Sequence, residues 1–193
     1  MLLLAVSGLF MSCEKENLQA SEKDITGKLA EDFITSFFRM EATLAETMDQ
    51  MSSMAALDRM ATPTNREELE QAFRMLGMRV ATHELDAFFE TVDRVYQHLQ
   101  QFPEQETAFS DYLDHEQASW GPRQQQALLR SGGKMQCLRE YDARNWEILK
   151  DMGQCAGVAL IMSGGVGSPV CGLDGLWDLA ESRAILNACL KEQ

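Results

Sequence analysis

Sulfur carries most of the chemistry this sequence could do. Five cysteines stand at positions 13, 137, 155, 171 and 189, and Met48, Met51 and Met54 recur at every third residue. Cysteines form disulfides, ligate zinc or carry a lipid. Thioethers are soft ligands suited to copper(I). The last four cysteines are spaced 18, 16 and 18 residues apart. Eighteen residues is about five helical turns, so Cys137 and Cys155 share one helix face, as do Cys171 and Cys189. The four are symmetric about Ser163, and between the two inner cysteines lies Ser163-Gly-Gly-Val-Gly-Ser-Pro169, whose glycines and proline stop a helix and permit a tight reversal.

Four cysteines allow three pairings. Joining 137 to 155 and 171 to 189 would bridge atoms about 27 Å apart along one helix. A disulfide needs Cα atoms within about 7 Å. Joining 137 to 171 and 155 to 189 needs parallel helices and a long crossover, whereas consecutive helices with short connections run antiparallel. The nested pairing remains: Cys155–Cys171 inside, Cys137–Cys189 outside. A single zinc site is incompatible with this spacing, because the two pairs sit about five turns apart. The layout is similar to helical-hairpin disulfide proteins of the twin Cys-x9-Cys type, with 17 intervening residues here. That similarity is one of layout and implies no activity.

The fifth cysteine follows a different pattern. Residues 1–12 read Met-Leu-Leu-Leu-Ala-Val-Ser-Gly-Leu-Phe-Met-Ser, an apolar run too short to span a bilayer and of signal-peptide length. The run closes on Phe10-Met11-Ser12-Cys13. It resembles the type II signal peptide of bacterial lipoproteins. The resemblance implies that 1–12 is removed, that Cys13 is diacylated, and that the chain is held in the cell envelope on the outer membrane, facing the periplasm or the surface. Residues 13–22 then form the lipidated cysteine and a polar tether, and 23–193 the folded domain. Export also implies an oxidising compartment, where the four remaining cysteines persist as disulfides.

Length and composition set the rest. The 193 residues suit one domain with an adequate core, and 45% hydrophobic with 24% charged residues are globular values. Seventeen Lys and Arg against 30 Asp and Glu leave a net charge of −13. Such a chain repels nucleic acid and anionic lipid surfaces and favours a basic protein partner or a cation.

The elements that position these residues read as helices throughout. A long helix is expected from Lys23 to Met60, with Phe33, Phe37, Met40, Leu44, Met51 and Met54 along a heptad-like seam, ended by Thr62-Pro63. Asn65 reads as an N-cap, with Glu67 and Glu68 in the first turn. Gly77 marks a break, and Thr82 reads as the next cap, on a helix stopped by Pro103. Helices over Glu104–Trp120 and Arg123–Arg130 follow, separated by a turn at Trp120-Gly121-Pro122. The hairpin over 134–191 completes the chain. The expected fold is an all-α helical bundle ending in a disulfide-stapled antiparallel helical hairpin.

Catalytic signatures are lacking. His83-Glu84 opens like a zinc-protease motif, but Ala87 replaces the second histidine. His98 reads as lying on the polar side of its helix and His115 as solvent-facing. Gly165 and Gly167 precede Val170 where a dinucleotide loop needs glycine, and no nucleophile elbow occurs. The expected function is a non-catalytic, lipid-anchored envelope protein that binds another protein, with scaffold, inhibitor and immunity roles sharing these features. The alternative is a bundle that binds copper(I) through Met48, Met51 and Met54, spread over about 120° of a helix, or a small ligand in a bundle cavity.

Overall fold

A computed structural model describes the backbone of residues 6–47, 57, 59–128, 134–162 and 167–192, and the side chains of 25–46, 57, 59–119, 134–155 and 170–191. Regular structure among the described residues is helical throughout. In chain order it comprises α1 (Val6–Thr47), α2 (Arg66–Met75), α3 (Thr82–Gln101), a 3-10 turn (Pro103–Gln105), α4 (Glu106–Leu128), α5 (Met135–Met162) and α6 (Gly167–Glu192). The all-α bundle with a stapled hairpin is therefore the fold.

Each helix contributes a stripe to one continuous core. Phe33, Phe37, Met40 and Leu44 of α1 are buried, as the heptad-like seam requires. They meet Leu85, Phe88, Val92 and Leu99 of α3, Phe109 and Leu113 of α4, Trp146, Leu149 and Met152 of α5, and Leu176, Leu179 and Ala180 of α6 in one cluster. Phe33 and Phe109 rings lie 5.9 Å apart, and Phe38 packs edge-on to Trp146 at 5.2 Å. α3 is central: it contacts α1 and both hairpin helices.

Local signals set several boundaries. Asn65 Oδ1 accepts the Glu68 amide at 3.0 Å, the expected N-cap of α2. Gly77 ends α2 with φ 73°, a left-handed conformation that costs glycine nothing, while the Met78 amide reaches back to the Phe73 carbonyl at 2.8 Å.

Other boundaries differ from the sequence reading. Arg59 and Met60 form a turn and a bend where helix was expected, residues 48–56 and 58 lie outside the described residues, and α1 is described to Thr47. Its backbone is helical from Val6, through the polar stretch read as a tether, because Glu14 to Ser21 is rich in good helix formers and lacks Gly and Pro. The cap of α3 is Ala81, one residue before Thr82, and Glu84 accepts the Ala81 amide at 3.3 Å. α4 begins at Glu106 and runs unbroken to Leu128 through Gly121 and Pro122, where a turn was expected. The helix-favouring run Arg123-Gln-Gln-Gln-Ala-Leu128 offsets part of the roughly 3 kcal/mol that a helical proline costs.

Candidate functional site

The hairpin is the most constrained part of the chain. Cys137–Cys189 and Cys155–Cys171 form as the spacing requires, with Cα separations of 5.9 and 5.8 Å. The side chains of Cys13, Met48, Met51 and Met54 lie outside the described residues. Between the bridges, Ser182 Oγ donates to Asn145 Oδ1 at 2.9 Å with both residues buried. A pair of complementary polar groups in an apolar interface penalises any sliding of α5 against α6, since a shift would leave both unsatisfied.

A polar cluster ties α1 to the hairpin. The Tyr141 hydroxyl donates to Glu41. Burial, then the Glu41 charge, hold that hydroxyl well above its ordinary range. Burial and Glu41 also push the Asp142 carboxyl up. The Arg183 guanidinium sits 5.7 Å from the Tyr141 ring centroid, and its Nε is buried with no hydrogen-bond partner. The opening between Tyr141, Ser182 and the outer bridge holds only about 30 Å³, so this cluster joins helices and admits no substrate.

The outer face of α6 has a different character. Val170, Asp174, Asp178 and Glu181 recur at helical spacing, and all four are exposed. Asp151 of α5 stands beside them. Partial desolvation first, then Glu181, Asp174 and Asp151, raise the Asp178 carboxyl above its usual range. Among the described residues no Lys or Arg pairs with these carboxylates. At the Val170 end the row meets a largely apolar groove of about 410 Å³ between α6, α3 and the start of α2. Leu173 and Phe89 floor it. Arg66 lies 5.8 Å from the Phe89 centroid and is itself paired with Glu70 at 3.0 Å and Asp86 at 2.5 Å.

The histidines divide three ways. His115 is exposed, 3.6 Å from Glu116. His98 is half-buried rather than on a polar face: its Nε2 lies 2.9 Å from Oγ1 of the buried Thr26, because α1 covers that side of α3. His83 lines a second groove, between α1 and α3, with Arg39 and Arg94. Sequence reasoning missed that groove, since its two sets of residues are at least 40 positions apart and share no motif. No three His, Cys, Asp or Glu side chains converge as a metal site among the described residues. Nor is any helix among them long and apolar enough to cross a membrane.

Comparison with protein-family models, curated proteins and solved structures finds no match to this chain.

Proposed function

We propose that this chain is a lipid-anchored cell-envelope protein, held at the outer membrane through Cys13, that acts without catalysis by binding a basic protein partner on the outer face of α6. One observation carries the reading. The face joins an apolar opening at Val170, Leu173 and Phe89 to a row of carboxylates with which no Lys or Arg pairs among the described residues. An apolar centre with a polar rim is the anatomy of a protein interface. Carboxylates that repel one another in the free chain gain from a cationic surface, which also speeds encounter and sets orientation. The lipid anchor is supported by the residues before Cys13, and by the even set of four cysteines that remains once Cys13 is assigned to it.

The test uses native membranes. Cys13→Ala is expected to move the protein from the detergent phase to the aqueous phase, and acyl labelling that survives this change refutes the anchor. Photo-crosslinking from the α6 face should capture one basic partner. Capture should be lost in the triple variant Asp174→Asn, Asp178→Asn, Glu181→Gln and should weaken steeply with salt. An unchanged crosslink in the triple variant refutes the interface.

A further inference from the structure

α1 and α3 run antiparallel and are tied at three heights. Thr26 Oγ1 lies 2.9 Å from His98 Nε2, Arg94 Nη1 donates to Asp32 Oδ2 at 3.4 Å, and Thr43 Oγ1 donates to Glu84 Oε1 at 3.4 Å. From Asp32 to Thr43 the seam runs about 16 Å. Small side chains line its middle: Ser36 on α1 and Ala87 on α3 leave a groove of about 380 Å³. Met40 and Phe88 form its floor, and Thr35, Ser36 and Thr91 supply hydroxyls along its walls. All these residues belong to the two helices, so the groove is preformed.

Its charge is unlike that of the rest of the chain. The protein carries a net −13, yet here Arg39 and Arg94 balance Asp32 and Glu84, with His83 beside them. Arg94 is committed, held by Asp32 and by Thr91 Oγ1 at 3.3 Å. Arg39 lines the groove, makes no ion pair among the described residues, and falls between Asp32 and Thr43 along α1. A guanidinium fork matches a carboxylate in two parallel hydrogen bonds. Asp32 and Glu84, at opposite ends, oppose a doubly charged anion more strongly than a singly charged one. Its volume falls within the range of small-molecule sites, and its walls are largely polar above an apolar floor, which suits a small polar ligand.

We infer that this groove binds a small, singly charged organic carboxylate. Arg39 takes the carboxylate, the Ser36 hydroxyl donates a further hydrogen bond, and the apolar part of the ligand covers Met40 and Phe88. The site shares no residue with the groove beside α6: on α3 it uses Ala87, Thr91 and Arg94, whereas that groove uses Phe89 and Asp93.

Sodium benzoate and inorganic phosphate serve as probes, titrated against the full chain at matched ionic strength and followed by ligand-observed NMR. Benzoate is expected to bind saturably in the millimolar range or below. Arg39→Gln, an exposed change, should weaken it about tenfold, the scale of one charge-assisted hydrogen bond. Ser36→Leu fills the groove without altering charge and should abolish binding, while Arg74→Gln, an exposed cation outside it, should leave affinity unchanged. Circular dichroism and an unaltered Tm establish that Arg39→Gln is folded. Benzoate binding that does not saturate, or that is equally tight in Arg39→Gln, overturns the site. Phosphate binding as tightly as benzoate overturns the assignment of a singly charged carboxylate.

Discussion

Gly175→Ala should destabilise the protein even though alanine is the better helix former. In isolation the change favours a helix by about 1 kcal/mol. Here a Cβ at 175 would overlap Sδ and Cγ of Met152 and stand 2.9 Å from its Cε. Met152 is itself buried in the core on α5. Relief requires Met152 to leave its place or α5 and α6 to separate. The Cys155–Cys171 bridge, one turn before Gly175 on α6, resists separation at that end. Overpacking of this kind costs about 1–3 kcal/mol. A bridge that blocks relaxation puts the cost at the upper end, and the net loss is about 1–2 kcal/mol. For a chain of this length that lowers Tm by roughly 2–8 °C. Gly27→Ala is the internal control. It carries the same propensity gain, but its Cβ would meet Tyr112 at an ordinary 3.6 Å, so it should stabilise by about 0.5–1 kcal/mol. Thermal unfolding of both variants by circular dichroism checks the pair. If Gly175→Ala stabilises as Gly27→Ala does, the close approach of α5 and α6 is wrong. In a double-mutant cycle, Met152→Ala should recover part of the Gly175→Ala loss, a coupling absent with Gly27→Ala.

Two further outcomes are expected. Peptide mapping without reduction should recover 155 joined to 171 and 137 joined to 189. In the chain-entropy model the inner bridge contributes about 3 kcal/mol, and the outer bridge less than its separation of 52 suggests, since the inner one has shortened its loop. A joined 137–155 peptide would refute the hairpin. Asp178→Asn tests the crowding of carboxylates on α6. Its carboxyl is raised in the folded chain, so its favourable contribution is present below the ordinary carboxylate range and is lost as pH rises through the folded value. The variant should therefore raise Tm at neutral pH, with a gain that fades toward about pH 4 and with added salt. An equal gain at pH 3 and pH 7 would exclude charge repulsion as its cause.

Much of the fold was legible because it depends on local periodicity and covalent geometry. The cysteine spacing excludes pairing within either helix, since a rigid rise per residue sets the distances, and the short connection favours the antiparallel, nested pairing over the parallel one. Phe33, Phe37, Met40 and Leu44 announce their buried stripe, and Asn65 its cap, because both effects act within a turn or two of chain. The carboxylate row on α6 was likewise written at helical spacing, but the approach of Asp151 from α5 depends on what packs beside it. Tertiary structure alone decided the long-range juxtapositions. His98 reads as polar in sequence and is half-buried only because Thr26 lies across from it. Tyr141 finds Glu41 a hundred residues away. Gly175 is an ordinary glycine until Met152 is placed against it. Arg39, Ser36, Ala87 and Arg94 become one groove only when α1 and α3 are set antiparallel in a particular register. A single sequence encodes such pairings only through the summed packing of the whole core, where no local pattern marks them.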